Sequence, residues 1–130
     1  MALELKYNGE PFTVDNFCKI IMFQNIIDME EIDNNSKNLL LYILRKTLCF
    51  NKFNDRLAMY HLQKQLKISE NTLRKTIKYC EENNLISIER SVGGKTSRKE
   101  RFNLFRLHND LLSDLIRYVE EIRENNDFDI

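Results

Sequence analysis

The chain has one proline and three glycines in 130 residues, so it has few places to turn sharply. A backbone this short of turn-forming residues points to helices rather than to a many-stranded sheet. Two of the glycines, Gly93 and Gly94, are adjacent and make the best-marked turn in the sequence. At this length a single domain spanning residues 1–130 is expected, and 42% apolar against 31% charged residues is the balance of a globular chain.

Apolar spacing places the elements. Thr13 can cap a helix with Val14, Phe17, Cys18 and Ile21 at i, i+3, i+4 and i+7, running to about Ile27. Ser36 can cap a second, core helix with Leu40, Ile43, Leu44 and Leu48 on one face, and Arg45 and Lys46 at its end suit the helix dipole. Residues 57–60 read as a short strand and residues 60–66 as a brief helix. Ser69 opens the next helix, with Leu73, Ile77 and Cys80 on its hidden face and Asn83-Asn84 at its end. Two short helices about three residues apart form a helix-turn-helix. Ile86 and Ile88 lie at strand spacing before Gly93-Gly94, and residues 101–107 form a second strand. A hairpin directly after a helix-turn-helix is a wing. Asn109 or Asp110 then opens a last helix with the stripe Leu112, Leu115, Ile116, Val119 and Ile122, which either folds back onto the winged helix as a final core helix or, the reading favoured, pairs with its copy in a dimer. The expected fold is mainly α with a small β-hairpin, a winged helix-turn-helix with additional N- and C-terminal helices.

The 20 basic side chains balance the 20 acidic ones in total but not in place. Residues 1–35, an acidic N-terminal helix extension, hold 2 basic and 7 acidic side chains; residues 36–107, the winged-helix core, hold 16 and 6; residues 108–130, an acidic C-terminal helix, hold 2 and 7. The nets of −5, +10 and −5 conceal a basic middle of the kind that attracts phosphate backbones. On the helix after Ser69, Asn71, Arg74 and Lys78 recur at i, i+3 and i+7 with Lys75 beside them. Arg pairs bidentately with guanine and Asn with adenine in a major groove, while Lys can take a phosphate. A solvated helix face would show the same residues. The glycine turn adds Arg90, Lys95, Arg98, Lys99 and Arg101, more bases than are needed to blunt a strand edge.

The run Ile43-Leu44-Arg45-Lys46-Thr47-Leu48-Cys49-Phe50-Asn51-Lys52 resembles the N-terminal DNA-binding domain of lambda-type phage replication protein O. The likeness continues through Leu62-Gln63-Lys64-Gln65-Leu66, Ile68-Ser69, Leu73, Ile77, Glu81-Glu82 and Leu85-Ile86, covering about residues 36 to 90. It implies a winged helix that binds repeated origin sequences, usually as a dimer, with residues 70–83 as recognition helix and residues 92–101 as wing. Three features depart from the family pattern. Lys67 stands where Gly is usual in the turn, and Glu70 opens the recognition helix in place of a basic or small polar residue. The third departure is that the chain stops about where a helicase-recruiting region would begin.

Cys18, Cys49 and Cys80 are about thirty residues apart and form no CxxC or CxxH pair, so buried free thiols in a reducing compartment are expected and no metal. His61 and His108 have no partner at a telling spacing, so no catalytic residue, cofactor or enzymatic activity is expected. The Phe and Tyr residues, Phe102 and Phe105 among them, read as core rather than as a base-stacking platform. No membrane span or signal peptide is recognisable, so a soluble protein of the bacterial cytoplasm and nucleoid is expected. The leading expectation is a sequence-specific double-stranded DNA-binding protein of a phage, plasmid or mobile element, acting in replication initiation or control. A small dimeric transcriptional regulator and a protein-interaction or inhibitor module on a winged-helix scaffold are the alternatives. The partners expected are double-stranded DNA and a second copy bound through the terminal helices; a host or phage protein is a further possibility.

Overall fold

Asn8 and Gly9 both take positive φ, 53° and 79°, and fold the N-terminus into a hairpin of β1 (Leu3–Tyr7) and β2 (Glu10–Val14). Tyr7 faces Glu10 and Leu3 faces Val14 across it. A two-residue Asn-Gly loop with both φ values positive matches the twist of paired strands. The helix expected to open at Thr13 therefore opens later: Thr13 and Val14 belong to β2, and residues 1–35 are not simply a helical extension. Pro11 sits in this two-stranded ribbon, where each strand has a free edge and a missing N–H is tolerated. The structure, a computed structural model, describes residues 2–90 and 103–125.

Helix α1 (Asn16–Ile27) is capped by Asp15, whose Oδ1 accepts from Cys18 N at 2.9 Å. Helix α2 (Asn34–Lys46) is capped by Asp33 rather than Ser36: Asp33 Oδ1 accepts from Ser36 N at 2.8 Å, and Ser36 lies buried inside the first turn. Either Asp or Ser serves as a cap, and the acidic approach to the helix supplies one earlier than the apolar spacing suggests. Leu39, Leu40, Ile43 and Leu44 of α2 are fully enclosed by contacts with α1 and with later elements of the chain.

A 3-10 turn (Leu48–Phe50) follows, then β3 (Asp55–Leu57), which begins before the residue 57–60 strand expected. Helix α3 (Met59–Leu66) and helix α4 (Glu70–Glu82) are separated by three residues, and strands β4 (Ile86–Glu89) and β5 (Asn103–Leu107) come next. The sheet order is β3-β5-β4, all antiparallel, with Phe105 opposite both Asp55 and Ile88. Phe105 and Leu107 point into the core, as Ile86 does on β4 and Leu57 on β3. This is a winged helix-turn-helix with extra terminal elements. Gly93, Gly94 and the wing tip lie in residues 91–102, outside the described residues.

Helix α5 (Asn109–Glu124) begins as expected, with His108 as its cap: its Nδ1 accepts from Asp110 N at 3.0 Å. Leu111, Leu112, Leu115, Ile116 and Val119 are buried within the one chain, and α5 packs on α1. Of the two uses open to this stripe, the structure shows the fold-back onto the chain, with α1 packed on it, and not the pairing with a second copy. Arg123 fastens the two helices. Its guanidinium lies 5.4 Å from the Phe17 ring centre and 5.9 Å from that of Phe12, and it donates to Asp15 Oδ2 at 3.3 Å. Cys18 and Cys80 are buried, whereas Cys49, also expected to be buried, is only partly so because it lies on the 3-10 turn at the surface.

The Asp15 carboxyl is held below its ordinary value of 3.8, chiefly by the Cys18 N–H, with Arg123 adding to the effect and partial burial opposing it. A lowered folded-state value means that the charge stabilises the fold above pH 3.8 and that this stabilisation is lost as pH falls through the folded-state value. Asp15→Asn keeps a capping oxygen but removes the charge. Urea melts should show it roughly 0.3–1 kcal/mol less stable than wild type at pH 7, with the gap closing in strong acid; a gap independent of pH would assign the loss to packing.

Candidate nucleic-acid interface

The short turn between α3 and α4 sets the start of α4. Lys67 closes α3 in the left-handed region at φ 57°, a conformation that disfavours any residue with a Cβ. Lys67 thus adopts, with a side chain, the left-handed conformation that Gly takes most easily. Ser69 then caps α4, accepting from Thr72 N at 3.2 Å, and the cap fixes which side of the helix faces inward. Leu73, Thr76, Ile77 and Cys80 form the hidden face. Burial pushes the Cys80 thiol up to about 11, which leaves it protonated and unreactive at neutral pH.

The opposite face of α4 exposes Asn71, Arg74, Lys75 and Lys78 together. Asn71, Arg74 and Lys78 share one line of the helix and Lys75 flanks it. Glu70 at the first turn accepts from the Arg74 guanidinium at 2.8 Å, and both side chains are more than half exposed. An exposed i, i+4 pair of this kind is worth only about 0.3–0.5 kcal/mol, so Arg74 is available to a stronger acceptor. Lys64 and Lys67 carry exposed positive charge toward the start of the helix. Neither was assigned to the interface from the sequence, where Lys67 stood out only as a departure in the turn and Lys64 as part of the family likeness.

Behind this face, α4 and the sheet leave a cleft of about 330 Å³. Its floor includes Ile77, Ile88 and Phe105, and Arg74, Lys78 and Arg90 stand at its rim. Arg90 does not stand as a free wing cation. It makes two hydrogen bonds to Glu81, 2.7 and 3.0 Å, and so ties the end of β4 to the last turns of α4. In the free protein Glu81 thus gives this guanidinium a bidentate acceptor, which a phosphate would have to displace or share. Lys95, Arg98, Lys99 and Arg101 lie outside the described residues, as does Phe102.

Tyr60 is exposed and packs edge-on against the His61 ring at 6.3 Å, and His108 serves as a cap. Among the described residues no group of three or more His, Cys, Asp or Glu side chains is placed to hold a metal ion. Among the same residues no helix is long and apolar enough to cross a membrane.

No protein-family model matches the sequence, and no curated protein matches it. Among solved structures, a possible transcriptional regulator from Methanosarcina mazei Go1 is similar at a TM-score of 0.46 and 10% identity, over 96% of this chain and 91% of that one. A transcriptional regulator homologue protein from Pyrococcus horikoshii OT3 is similar at a TM-score of 0.47 and 13% identity, over 87% of this chain and 96% of that one. Likeness at this level says nothing about ligand or activity.

The Arg90–Glu81 strut can be isolated by a double-mutant cycle. Arg90→Ala and Glu81→Gln should each cost roughly 0.5–1 kcal/mol in denaturant unfolding, and the double variant should cost little more than either single. Strict additivity would mean that the two side chains do not support each other.

Proposed function

We infer that the chain is a non-enzymatic, sequence-specific double-stranded DNA-binding regulator that presents α4 to the major groove. The observation that carries this reading is the exposure of Asn71, Arg74 and Lys78 along one side of a capped helix that follows a three-residue turn. A major groove about 12 Å wide admits one α-helix, and residues near the start of such a helix reach base edges. Asn71 and Arg74 address adenine and guanine, Lys78 a base or phosphate, and Lys75 the backbone. Lys95, Arg98, Lys99 and Arg101 would take neighbouring phosphates or the minor groove, with Arg90 holding the base of their segment to α4.

The replication and transcription readings share this face. The replication reading, control of a phage, plasmid or other mobile element, is supported by the run from Ile43 to Lys52. Much of that run also serves the fold. Thr47 is fully buried and its Oγ1 donates to Ile43 O at 2.6 Å, Lys52 N donates to Thr47 O at 2.9 Å, and Asn51 turns the chain at φ 58°. These residues shape the connection between α2 and β3, which any winged helix of this outline needs. Regulation of transcription is thus an equal use of the fold. Selection from a random duplex pool separates the roles: enriched direct repeats favour an origin, and an enriched palindrome favours an operator.

Two measurements test DNA binding itself. Arg74→Glu with Lys78→Glu should weaken binding to the selected duplex at least 100-fold, since each good base contact is worth about 1–3 kcal/mol and reversal adds repulsion. With about five phosphates neutralised, by Lys75 and the four bases after residue 94, log K should fall against log salt with a slope of about −4 to −5. A wild type without affinity for duplex DNA, and a double variant that still captures a partner protein, would instead favour the protein-interaction reading.

A further inference from the structure

The outer face of α1 carries no charge. Its exposed side chains are Asn16, Ile20, Gln24 and Ile27, with Ile20 65% and Ile27 53% exposed. These two isoleucines are seven residues apart and lie on one line of the helix, with half-buried Phe23 between them. Each of the other four α-helices exposes at least one charge: Arg45 on α2, Lys64 on α3, Arg74 on α4 and Arg117 on α5. Aliphatic side chains on a face depleted of charge are the composition of an interface centre.

The two ends of this face have opposite sign. Near its start, Lys19 Nζ lies 3.2 Å from Asn51 Oδ1 and 3.5 Å from Cys49 O, which brings the 3-10 turn and its exposed Phe50 alongside α1. Burial raises the Cys49 thiol pKa while Lys19 and Arg45 pull it down, so Arg45 belongs to the same neighbourhood. Lys52 follows and shares its charge with Asp55 at 3.5 Å. Past the other end come Asp28, Glu30 and Glu31, opposed by Lys37, whose Nζ donates to Ile27 O at 2.8 Å. The sign changes over about 18 Å, the length of a twelve-residue helix.

We propose that this face is where two copies of the chain meet, with α1 antiparallel to α1 across a twofold axis near Phe23 and Gln24. A twofold contact is self-complementary. It sets the Lys19–Arg45–Lys52 end of one copy against the Asp28–Glu30–Glu31 end of the other, twice, and brings Ile20 of one toward Ile27 of the other. A parallel arrangement would oppose like charges. One short helix per copy is less than the roughly 800 Å² per partner of a stable interface, so the dimer is concentration-dependent. It forms without DNA and stands apart from the proposed function.

Sedimentation equilibrium of the full chain in the absence of DNA tests it. Wild type should pass from monomer to dimer as concentration rises, and Ile20→Glu with Ile27→Glu should weaken association at least tenfold. Arg45→Glu and Glu31→Lys alone should each weaken it several-fold. An equimolar mixture of those two variants should regain wild-type association, because each then offers the sign the other lacks. All four positions are exposed, and recovery on mixing itself requires folded protein. A wild type that stays monomeric to millimolar concentration overturns the proposal; so do a dimer indifferent to the isoleucine changes and a mixture no better than its components.

Discussion

Helix α2 touches α1, α3, α4 and β5, and the side chains of Leu39, Leu40, Ile43 and Leu44 have no exposure at all. Packing around this one helix sets the position of every functional element. Truncating a fully buried leucine typically costs about 2–5 kcal/mol, a large share of what a domain of this size has in reserve. Strand β5 supplies the second constraint. It is hydrogen-bonded on both sides, and Phe105 at its centre is fully buried, so its register with β3 and β4 cannot slip without turning Phe105 outward. Between them, α2 and β5 present α4 with its hidden face inward and its basic face free.

Charge is arranged on this frame in two ways. On α4 and the end of β4, Glu70 and Glu81 pair with Arg74 and Arg90 in the free protein, but the pairs differ in kind. Arg74 is held by one contact to an exposed carboxylate, which a base edge or phosphate can replace. Arg90 is held by two contacts to a carboxylate only 29% exposed and links two elements. One pair is a resting contact and the other a structural strut. At the opposite extreme, the acidic stretch after α1 supplies the Asp33 cap of α2 and leaves Asp28, Glu30 and Glu31 exposed beside a helix face that has no charge.

The helix-turn-helix was legible because its signals are local: Ser69 is a cap, Leu73, Ile77 and Cys80 recur at helical spacing, and Asn83-Asn84 end the helix, with Asn84 at φ 56°. The N-terminal hairpin was missed although Asn8-Gly9 is a strong turn signal, because Phe17, Cys18 and Ile21 set a helical period that extends back onto Val14 by coincidence. The caps of α1 and α2 were misplaced for a related reason: Thr13 and Ser36 are good caps in isolation, and only the fold shows that Asp15 and Asp33 reach the free N–H groups first. The pairing of Arg90 with Glu81 was not legible because the two are nine residues apart and on different elements. The choice between the two uses of the α5 stripe, folding back or pairing with a second copy, was likewise not legible, since an apolar stripe records that it is covered and not by what.

The central claim is that the exposed side of α4 is the surface that meets DNA. Backbone amide chemical-shift mapping of the full chain with a short duplex tests this most directly, and a non-specific duplex at low salt is sufficient. Shifts should concentrate on the α3–α4 turn, on Asn71, Arg74, Lys75 and Lys78, and on the residues joining β4 to β5, with α1 and α5 largely silent. Shifts concentrated on α1 and α5 with α4 unmoved would contradict it.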